Sequence, residues 1–305
     1  MASSTPVSKR DYILKSFFAG GIAGCCAKTT TAPLDRLKIL LQARSVTYSH
    51  LGIAGGFKAI YQNEGWKGYY RGNGAMMVRV FPYAAIQFMS YEQYKKVLLS
   101  IHDGQAMKLL SGSLAGITAV AFTYPLDVIR ARLAYQVTGK LQLYDGILHA
   151  FKKIYQTEGG IRAFYRGYFP TVLGMIPYAG LSFYTFETLK SLCLQYFINI
   201  TTVVNHNGEK RLRIPASLLC GGVAGAVAQT ISYPLDVVRR QMQLAAIIPD
   251  GNNERQWRAV LSHVVQKYGI VGGLYRGMSI NYYRAIPQVA VSFATYELMK
   301  RVLKI

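Results

Sequence analysis

Hydrophobic residues along the chain fall into six long stretches with helical spacing, and polar residues recur on one side of each stretch. The stretches cover residues 11–43, 74–99, 105–136, 168–197, 212–244 and 278–303. None of them is a uniform run of about 20 apolar residues, as a helix surrounded by lipid would be. The pattern indicates membrane helices whose polar faces line a water-filled cavity.

Three shorter amphipathic stretches lie between the members of successive pairs of long ones. They cover residues 53–62, 146–156 and 256–267. Their length and two-faced pattern are typical of helices that lie along a membrane surface. The order long, short, long therefore occurs three times along the chain.

The same three-part signature occurs in each of these units. A Pro-Leu-Asp motif with a base three residues after the acid comes first, then Tyr-Arg-Gly, then an acid with a lysine three residues later. The copies are Pro33-Leu34-Asp35 with Lys38, Tyr70-Arg71-Gly72 and Glu92 with Lys95; Pro125-Leu126-Asp127 with Arg130, Tyr165-Arg166-Gly167 and Glu187 with Lys190; and Pro234-Leu235-Asp236 with Arg239, Tyr275-Arg276-Gly277 and Glu297 with Lys300. Signatures in register predict three copies of one structural unit.

The register of the signatures sets the predicted boundaries. After a short extension at 1–10, we place the repeats at 11–103, 104–198 and 199–305, as parts of one integral domain. The third repeat is longer because a polar stretch at 199–213 precedes its first helix, and we interpret this stretch as an inserted loop.

Composition narrows the class of protein. The formal net charge is +21, while 51% of residues are hydrophobic and only 16% are charged, against about a quarter charged in a typical soluble domain. This balance favours a membrane protein that handles anions or lies among anionic lipids. A soluble nucleic-acid binder is disfavoured, because the basic residues are scattered along the chain.

Candidate chemistry for catalysis is missing from the sequence. The four cysteines show no CxxC spacing, the five histidines form no ligand-spaced group, and no nucleophile–base–orienter set is visible. We therefore expect no enzyme activity, no metal site and no resident cofactor other than bound lipid.

The triple signature resembles that of the mitochondrial carrier family over essentially the full length of the chain. The resemblance implies an all-α membrane protein of the mitochondrial inner membrane. Its six tilted transmembrane helices would form a pseudo-threefold bundle, with three short helices on the matrix surface. It also implies transport by alternating access, with the monomer as the functional unit.

The resemblance also implies two sets of gating ion pairs. In the matrix gate, Asp35 would pair with Arg130, Asp127 with Arg239 and Asp236 with Lys38, with Gln241 bracing one pair. In the cytoplasmic gate, Glu92, Glu187 and Glu297 would pair cyclically with Lys95, Lys190 and Lys300, and Tyr91 and Tyr296 would act as braces. The alternative for this second set is ordinary pairing between residues three apart on one helix.

Glycines at the start of the second long helix of each unit match the cardiolipin-binding positions of the family. Exposed backbone N–H groups at a helix start favour phosphate. The resemblance assigns this role to Gly72, Gly167 and Gly277, with Gly65 as a partner element. In the third copy Tyr268 replaces the acid that precedes the equivalent glycine.

Substrate specificity is expected where the three copies differ. The differing positions, which lie at mid-membrane depth in the family, carry Lys28, Val120 and Gln229; Arg79, Gly174 and Arg284; Val80, Met175 and Ala285; and Tyr83, Tyr178 and Gln288. The cation set (Lys28, Arg79 and Arg284) indicates a substrate with several negative charges, since arginine suits phosphate. The apolar set (Gly174, Met175 and Tyr178) would accept a flat group.

These sets resemble the nucleotide-transporting branch of the family. Coenzyme A, ADP or 3′,5′-ADP would fit them, and three further strings, at 19–30, 72–77 and 220–226, resemble a group of carriers associated with coenzyme A. The run Arg239-Arg240-Gln241-Met242-Gln243 disfavours the ADP/ATP exchanger itself. The alternatives are a nucleotide carrier of the ATP-Mg/phosphate type and a proton-leak carrier.

Overall fold

A computed structural model describes residues 9–45, 48, 51–102, 104–137, 143–197, 202–204, 210–248 and 256–303. In chain order the helices are α1 (Lys9–Gln42), α2 (Ile53–Gly68), α3 (Asn73–Ile101), α4 (Gln105–Tyr135), α5 (Ile147–Thr157), a 3₁₀ helix (Gly160–Tyr165), α6 (Tyr168–Tyr196), α7 (Ile214–Leu244), α8 (Trp257–Tyr268), α9 (Ile270–Leu274) and α10 (Met278–Leu303). The six predicted long helices are α1, α3, α4, α6, α7 and α10, and the predicted short ones are α2, α5 and α8. The predicted all-α architecture is confirmed at this level.

Each long helix contains a proline and continues through it. The six residues are Pro33, Pro82, Pro125, Pro177, Pro234 and Pro287. Proline removes one backbone hydrogen bond and favours a bend, but it does not end these helices. By length and composition, Ala106–Tyr135 and Pro215–Leu244 are apolar enough to cross a membrane.

The predicted inserted loop at 199–213 contains regular structure. Strand β1 (Thr202–Val204) pairs antiparallel with β2 (Lys210–Leu212), and Thr202 lies opposite Leu212. The stretch interpreted as an inserted loop therefore contains a strand pair, while residues 199–201 and 205–209 lie outside the described part of the chain.

The chain groups into two compact units that do not coincide with the repeats. Unit 1 comprises Met1–Arg166, Arg240–Arg255 and Arg276–Ile305, and unit 2 comprises Gly167–Arg239 and Gln256–Tyr275. Within unit 1, helices α3 and α4 pack together, as do α1 and α10. Its largest buried cluster gathers the residues that follow the Pro-Leu-Asp motifs, such as Leu37, Leu40, Ala131, Tyr135 and Leu244.

An aromatic pair occurs at the same place in two of the repeats. In unit 1, Tyr124 stacks on Tyr165 at 6.1 Å between ring centroids, and in unit 2 Tyr233 stacks on Tyr275 at 6.2 Å. The first residue of each pair precedes the signature proline and the second opens Tyr-Arg-Gly. The two parts of the signature are therefore in contact within each of these units.

Gly72 lets the start of α3 approach the end of α4 closely. Its φ is 80°, in the left-handed region, and a Cβ built on it would lie 2.9 Å from the carbonyl oxygen of Arg130 and 3.2 Å from Cβ of Ala134. Gly167 and Gly277 have the same backbone conformation, with φ of 83° and 81°. The glycine of Tyr-Arg-Gly is thus required by the backbone turn, and at Gly72 also by the packing.

Replacing Gly72 with alanine is expected to lower stability by at least about 1–2 kcal/mol, because a side chain is strained in the left-handed region and would meet the Arg130 carbonyl. Thermal unfolding of the purified protein in detergent measures the effect. Gly74→Ala, two residues along, is the matched control, since nothing lies within 4 Å of its added Cβ. The control should be neutral or gain about 0.5–1 kcal/mol of helix stability, and equal losses in both variants would contradict the argument.

Candidate functional site

Asp35 on α1 is shared between two arginines of unit 1. Its Oδ2 accepts a hydrogen bond from Arg130 Nη2 at 2.7 Å, and its Oδ1 accepts one from Arg284 Nη1 at 2.5 Å. The carboxylate is only 5% exposed. The Arg130 contact is a predicted pair of the matrix gate, whereas Arg284 belongs to the predicted cation set.

Asp127 on α4 repeats this arrangement with different partners. Arg79 Nη1 donates to its Oδ1 at 2.9 Å, and Gln243 Nε2 donates to its Oδ2 at 3.0 Å. Arg79 is also positioned by Thr123, whose hydroxyl accepts from Nε at 3.3 Å, and by the Tyr83 ring, 5.3 Å from the guanidinium carbon. A second residue of the cation set therefore contacts a gate carboxylate.

The third gate acid lies in unit 2 and has an equivalent contact there. Gln229 Nε2 donates to Asp236 Oδ2 at 3.0 Å. Gln229 occupies one of the positions where the copies differ. Each of the three gate acids is thus held by a side chain from the predicted substrate positions, namely Arg284, Arg79 or Gln229.

Positive charge exceeds negative charge in this part of unit 1. Lys28 Nζ donates to Gln288 Oε1 at 3.2 Å, one helical turn along α10 from Arg284. Lys28, Arg79, Arg130 and Arg284 bring four cations to the region that holds Asp35 and Asp127. Among these six residues the net charge is positive, which favours an anion with several charges.

The apolar set lies on α6 in unit 2. A Cβ added at Gly174 would lie 3.5 Å from Cβ of Leu235, an ordinary van der Waals distance. Met175 is half-buried and Tyr178 is 40% exposed. Their joint role with the cation set stays a prediction, as do the gate pairs of Asp127 with Arg239 and of Asp236 with Lys38.

The predicted brace at Gln241 was wrong. Gln241 Nε2 donates to the backbone carbonyl of Gln42 at 2.9 Å, whereas the glutamine that contacts a gate carboxylate is Gln243. Gln243 is fully buried and also donates to the Tyr124 hydroxyl at 3.1 Å. A sequence signal for it existed: glutamine stands seven residues after the gate acid in two copies, at Gln42 and Gln243, with Ala134 in the other.

Residues of the cytoplasmic gate bind within their own helices. Lys190 Nζ lies 3.1 Å from Glu187 and Lys300 Nζ lies 3.4 Å from Glu297, each three residues away. Lys95 and Lys300 also lie over the rings of Tyr91 and Tyr296, at 5.8 and 5.6 Å. The structure has the alternative pairing in the second and third copies, and the predicted cyclic pairing, which includes Glu92, stays a prediction.

Two buried ion pairs near the matrix gate were not predicted. Arg36 and Glu64 are paired at 2.6 Å with side chains 1% and 0% exposed, and Arg132 is paired with Glu158, which is 12% exposed. Arg36 also donates to the Gly68 carbonyl. The sequence contained a signal for these pairs, because the acid and the arginine are absent together from the third copy. Tyr268 stands there in place of the glutamate, and Val237 and Gln241 stand at the two positions equivalent to the arginines.

A surface cavity of about 240 Å³ lies where two helix N-termini meet in unit 1. Its lining includes Arg71, Gly72 and Gly74 at the start of α3, and Tyr144 and Gly146 at the start of α5. Burial raises the pKa of Tyr144 although Arg132 opposes the shift, so the phenol stays neutral and keeps its proton.

Gly65, predicted as a partner element for cardiolipin, is not among the residues that line this cavity. It lies at a kink inside α2, with φ 68°. Gly146 was not predicted as a residue of this site, although the sequence shows it at the start of a short amphipathic stretch. Two helix starts therefore line one cavity, together with one acid, Asp145.

The chain matches the family described as Mitochondrial carrier protein at residues 9–102, 101–197 and 210–305. It belongs to the mitochondrial carrier family, and it is a multi-pass transporter of the mitochondrial inner membrane rather than an enzyme.

Its relatives include the mouse protein named Solute carrier family 25 member 16, which is 55% identical over 305 residues that cover 98% of this chain and 91% of the relative. The human protein of the same name is 54% identical over 299 residues, covering 96% and 90%. The human protein named Mitochondrial coenzyme A transporter SLC25A42 is 43% identical over 310 residues, covering 99% and 92%. Member 16 is the Graves disease carrier, the group that the strings at 19–30, 72–77 and 220–226 were predicted to resemble, and this resemblance is confirmed.

Glu64→Gln is expected to destabilise the protein by about 3–5 kcal/mol, because it leaves the Arg36 guanidinium buried without its counter-charge. Thermal unfolding measures the loss. Glu297→Gln is the matched control, since Glu297 pairs with Lys300 on the surface and is 59% exposed; it should change stability by less than about 1 kcal/mol. Similar unfolding temperatures for the two variants would show that the buried pair does not stabilise the fold.

Proposed function

We propose that this carrier exchanges coenzyme A or a related adenine nucleotide across the inner membrane by alternating access. The observation that carries the proposal is the sharing of gate carboxylates: Arg284 holds Asp35 at 2.5 Å and Arg79 holds Asp127 at 2.9 Å. The same arginines are the best candidates for phosphate ligands, because their planar donors suit bidentate recognition.

Phosphate binding would then weaken the matrix gate directly. A phosphate that reaches Arg79 or Arg284 competes with Asp127 or Asp35 for the same N–H donors. Each arginine would exchange one anionic acceptor for another. No buried cation would then be left unpaired, and the cost of an unpaired one, several kcal/mol, is avoided. The carboxylates lose a stabilising contact, and the equilibrium shifts towards an open gate by the difference in affinity.

The substrate class follows from charge and shape together. Coenzyme A has an adenine ring for the apolar set and three phosphates for the cation set. The excess of positive charge around Asp35 and Asp127 supports a substrate of this kind. The name of the 43% identical human relative, a coenzyme A transporter, supports the same class.

Purified protein in liposomes should take up labelled coenzyme A, and Arg79→Ala or Arg284→Ala should reduce uptake by about ten- to a hundred-fold, as loss of a hydrogen bond to a charged group predicts. Arg162→Ala is the control, since this arginine is exposed on the 3₁₀ helix and should leave uptake unchanged. Unfolding temperatures of all variants separate lost binding from lost folding.

Parallel uptake assays with 3′,5′-ADP, ADP, ATP and malate identify the substrate. Uptake of ADP and ATP without coenzyme A would replace the proposal with a general nucleotide carrier. Proton conductance without exchange would indicate a proton-leak carrier. Uptake of malate alone, or full activity in both arginine variants, would contradict the assignment of the cation set.

We also propose that the cavity at the starts of α3 and α5 binds the phosphate of cardiolipin. Backbone N–H groups of two helix starts and the Arg71 side chain would attract the phosphate, against one acid of the lining, Asp145. Gly167 immediately precedes α6, and Gly277 immediately precedes α10. Both have the same left-handed backbone conformation as Gly72. The two later copies of the signature would therefore offer similar helix starts.

Gly74→Asp should reduce the rise in unfolding temperature that added cardiolipin produces, because the new carboxylate would repel the lipid phosphate. Gly74→Asn has nearly the same shape without the charge and should retain the rise. A Cβ added at this position has nothing within 4 Å. Thermal unfolding with increasing cardiolipin, and with phosphatidylcholine as the lipid control, measures the difference. Equal responses in the two variants would remove this cavity from lipid binding.

A further inference from the structure

Three side chains near the matrix gate donate to backbone carbonyls in a cycle. Arg36 Nε on α1 donates to the Ala134 carbonyl of α4 at 3.1 Å, Arg132 Nε on α4 donates to the Gln243 carbonyl of α7 at 3.2 Å, and Gln241 Nε2 on α7 donates to the Gln42 carbonyl of α1 at 2.9 Å. All six residues belong to unit 1. We call these three contacts the carbonyl ring.

The carbonyl ring follows the threefold repeat, although its donors do not look equivalent in the sequence. Each acceptor, Gln42, Ala134 or Gln243, stands seven residues after the gate acid of its own helix. The donors Arg132 and Gln241 stand five residues after their acids, whereas Arg36 stands one residue after. Positions four apart share one helix face, so all three donors leave from the same side.

The acceptors are groups that need partners from outside their own helix. The last four carbonyls of an α-helix have no intrahelical donor, and they carry the negative end of the helix dipole. Gln42, Ala134 and Gln243 lie in the last turns of α1, α4 and α7. Each helix that bears a gate acid is therefore capped at its end by a side chain from another such helix.

We propose that the carbonyl ring is a second latch of the matrix gate, which must open together with the ion pairs during transport. This inference rests on the proposed alternating-access function. Gln243 connects the two layers, since its side chain donates to Asp127 at 3.0 Å while its carbonyl accepts from Arg132. Separation of α4 from α7 at this point breaks both bonds.

The three contacts of the ring differ in strength, and the contact from α7 to α1 is the weakest. Arg36 and Arg132 are cations that are also fixed by Glu64 and Glu158. Gln241 is neutral, so its contact lacks the positive charge and the fixing carboxylate of the other two. The contact is weaker because charge-assisted hydrogen bonds are roughly twice as strong as neutral ones. The latch therefore opens first between Gln241 and Gln42.

Hydrogen–deuterium exchange of the full-length protein tests this without any substrate. Gln241→Ala should raise amide exchange about five-fold, the effect of one neutral hydrogen bond. The rise should appear in segments 36–43 and 240–245 and also in 130–137, although the hydrogen bond of Gln241 goes to Gln42. Gln241→Arg, which places the donor of the second repeat at this position, should lower exchange in all three segments. Gln62→Ala is the control, since Gln62 is exposed on α2.

A rise confined to the two segments beside Gln241, or no rise beyond that of Gln62→Ala, would overturn the latch. If Gln241→Arg fails to fold, Gln241→Ala still decides the question. Failure of the proposed transport function would appear separately, as absence of coenzyme A uptake by the unaltered protein. That result would leave the exchange measurement interpretable.

Discussion

The pairing of the Asp35 carboxylate with two cations is the interaction on which the neighbouring contacts depend, because the cations belong to different predicted sets. Arg130 approaches one of its oxygens and Arg284 the other, and almost no solvent reaches the group. A buried carboxylate that loses one of two cationic partners is strongly destabilised. Any ligand that competes for Arg284 therefore changes the stability of the contact with Arg130, and Asp127 repeats this logic with Arg79.

The surroundings of these carboxylates restrict how the gate can move. Arg36 with Glu64, and Arg132 with Glu158, fix the ends of α1 and α4 through buried ion pairs. The same arginines reach across to carbonyls of the next helix. Partial opening leaves buried charges or helix-end carbonyls without partners, each at a cost. These contacts consequently favour a gate that is fully closed or opened to water over one in between, which agrees with the proposed alternating access.

The predictions from sequence succeeded where the three copies repeat or the family resemblance supplied a pairing, and they missed contacts between copies at positions where the copies differ. Helix positions followed from periodicity, and the pair of Asp35 with Arg130 followed from the resemblance. Arg79 and Arg284 were predicted as substrate residues, but their contacts with the gate acids were not, because spacing along one chain does not show which helices face each other. Gln241 was predicted as a brace because it stands two residues after the basic residue Arg239. Gln243, two residues further along the helix, is the glutamine whose side chain reaches a gate carboxylate.

Broken symmetry therefore has two distinct physical sources in this chain. At Arg79, Gly174 and Arg284 the copies differ in charge and size at one equivalent position, and the proposed function uses this difference to recognise an asymmetric ligand. At Arg36 and Arg132 the copies use different positions to place the same guanidinium, because residues one and five after the acid share a helix face. The first kind of difference changes what the site can bind, and the second conserves a contact. Comparison of the copies by helix face, rather than by alignment column, distinguishes the two.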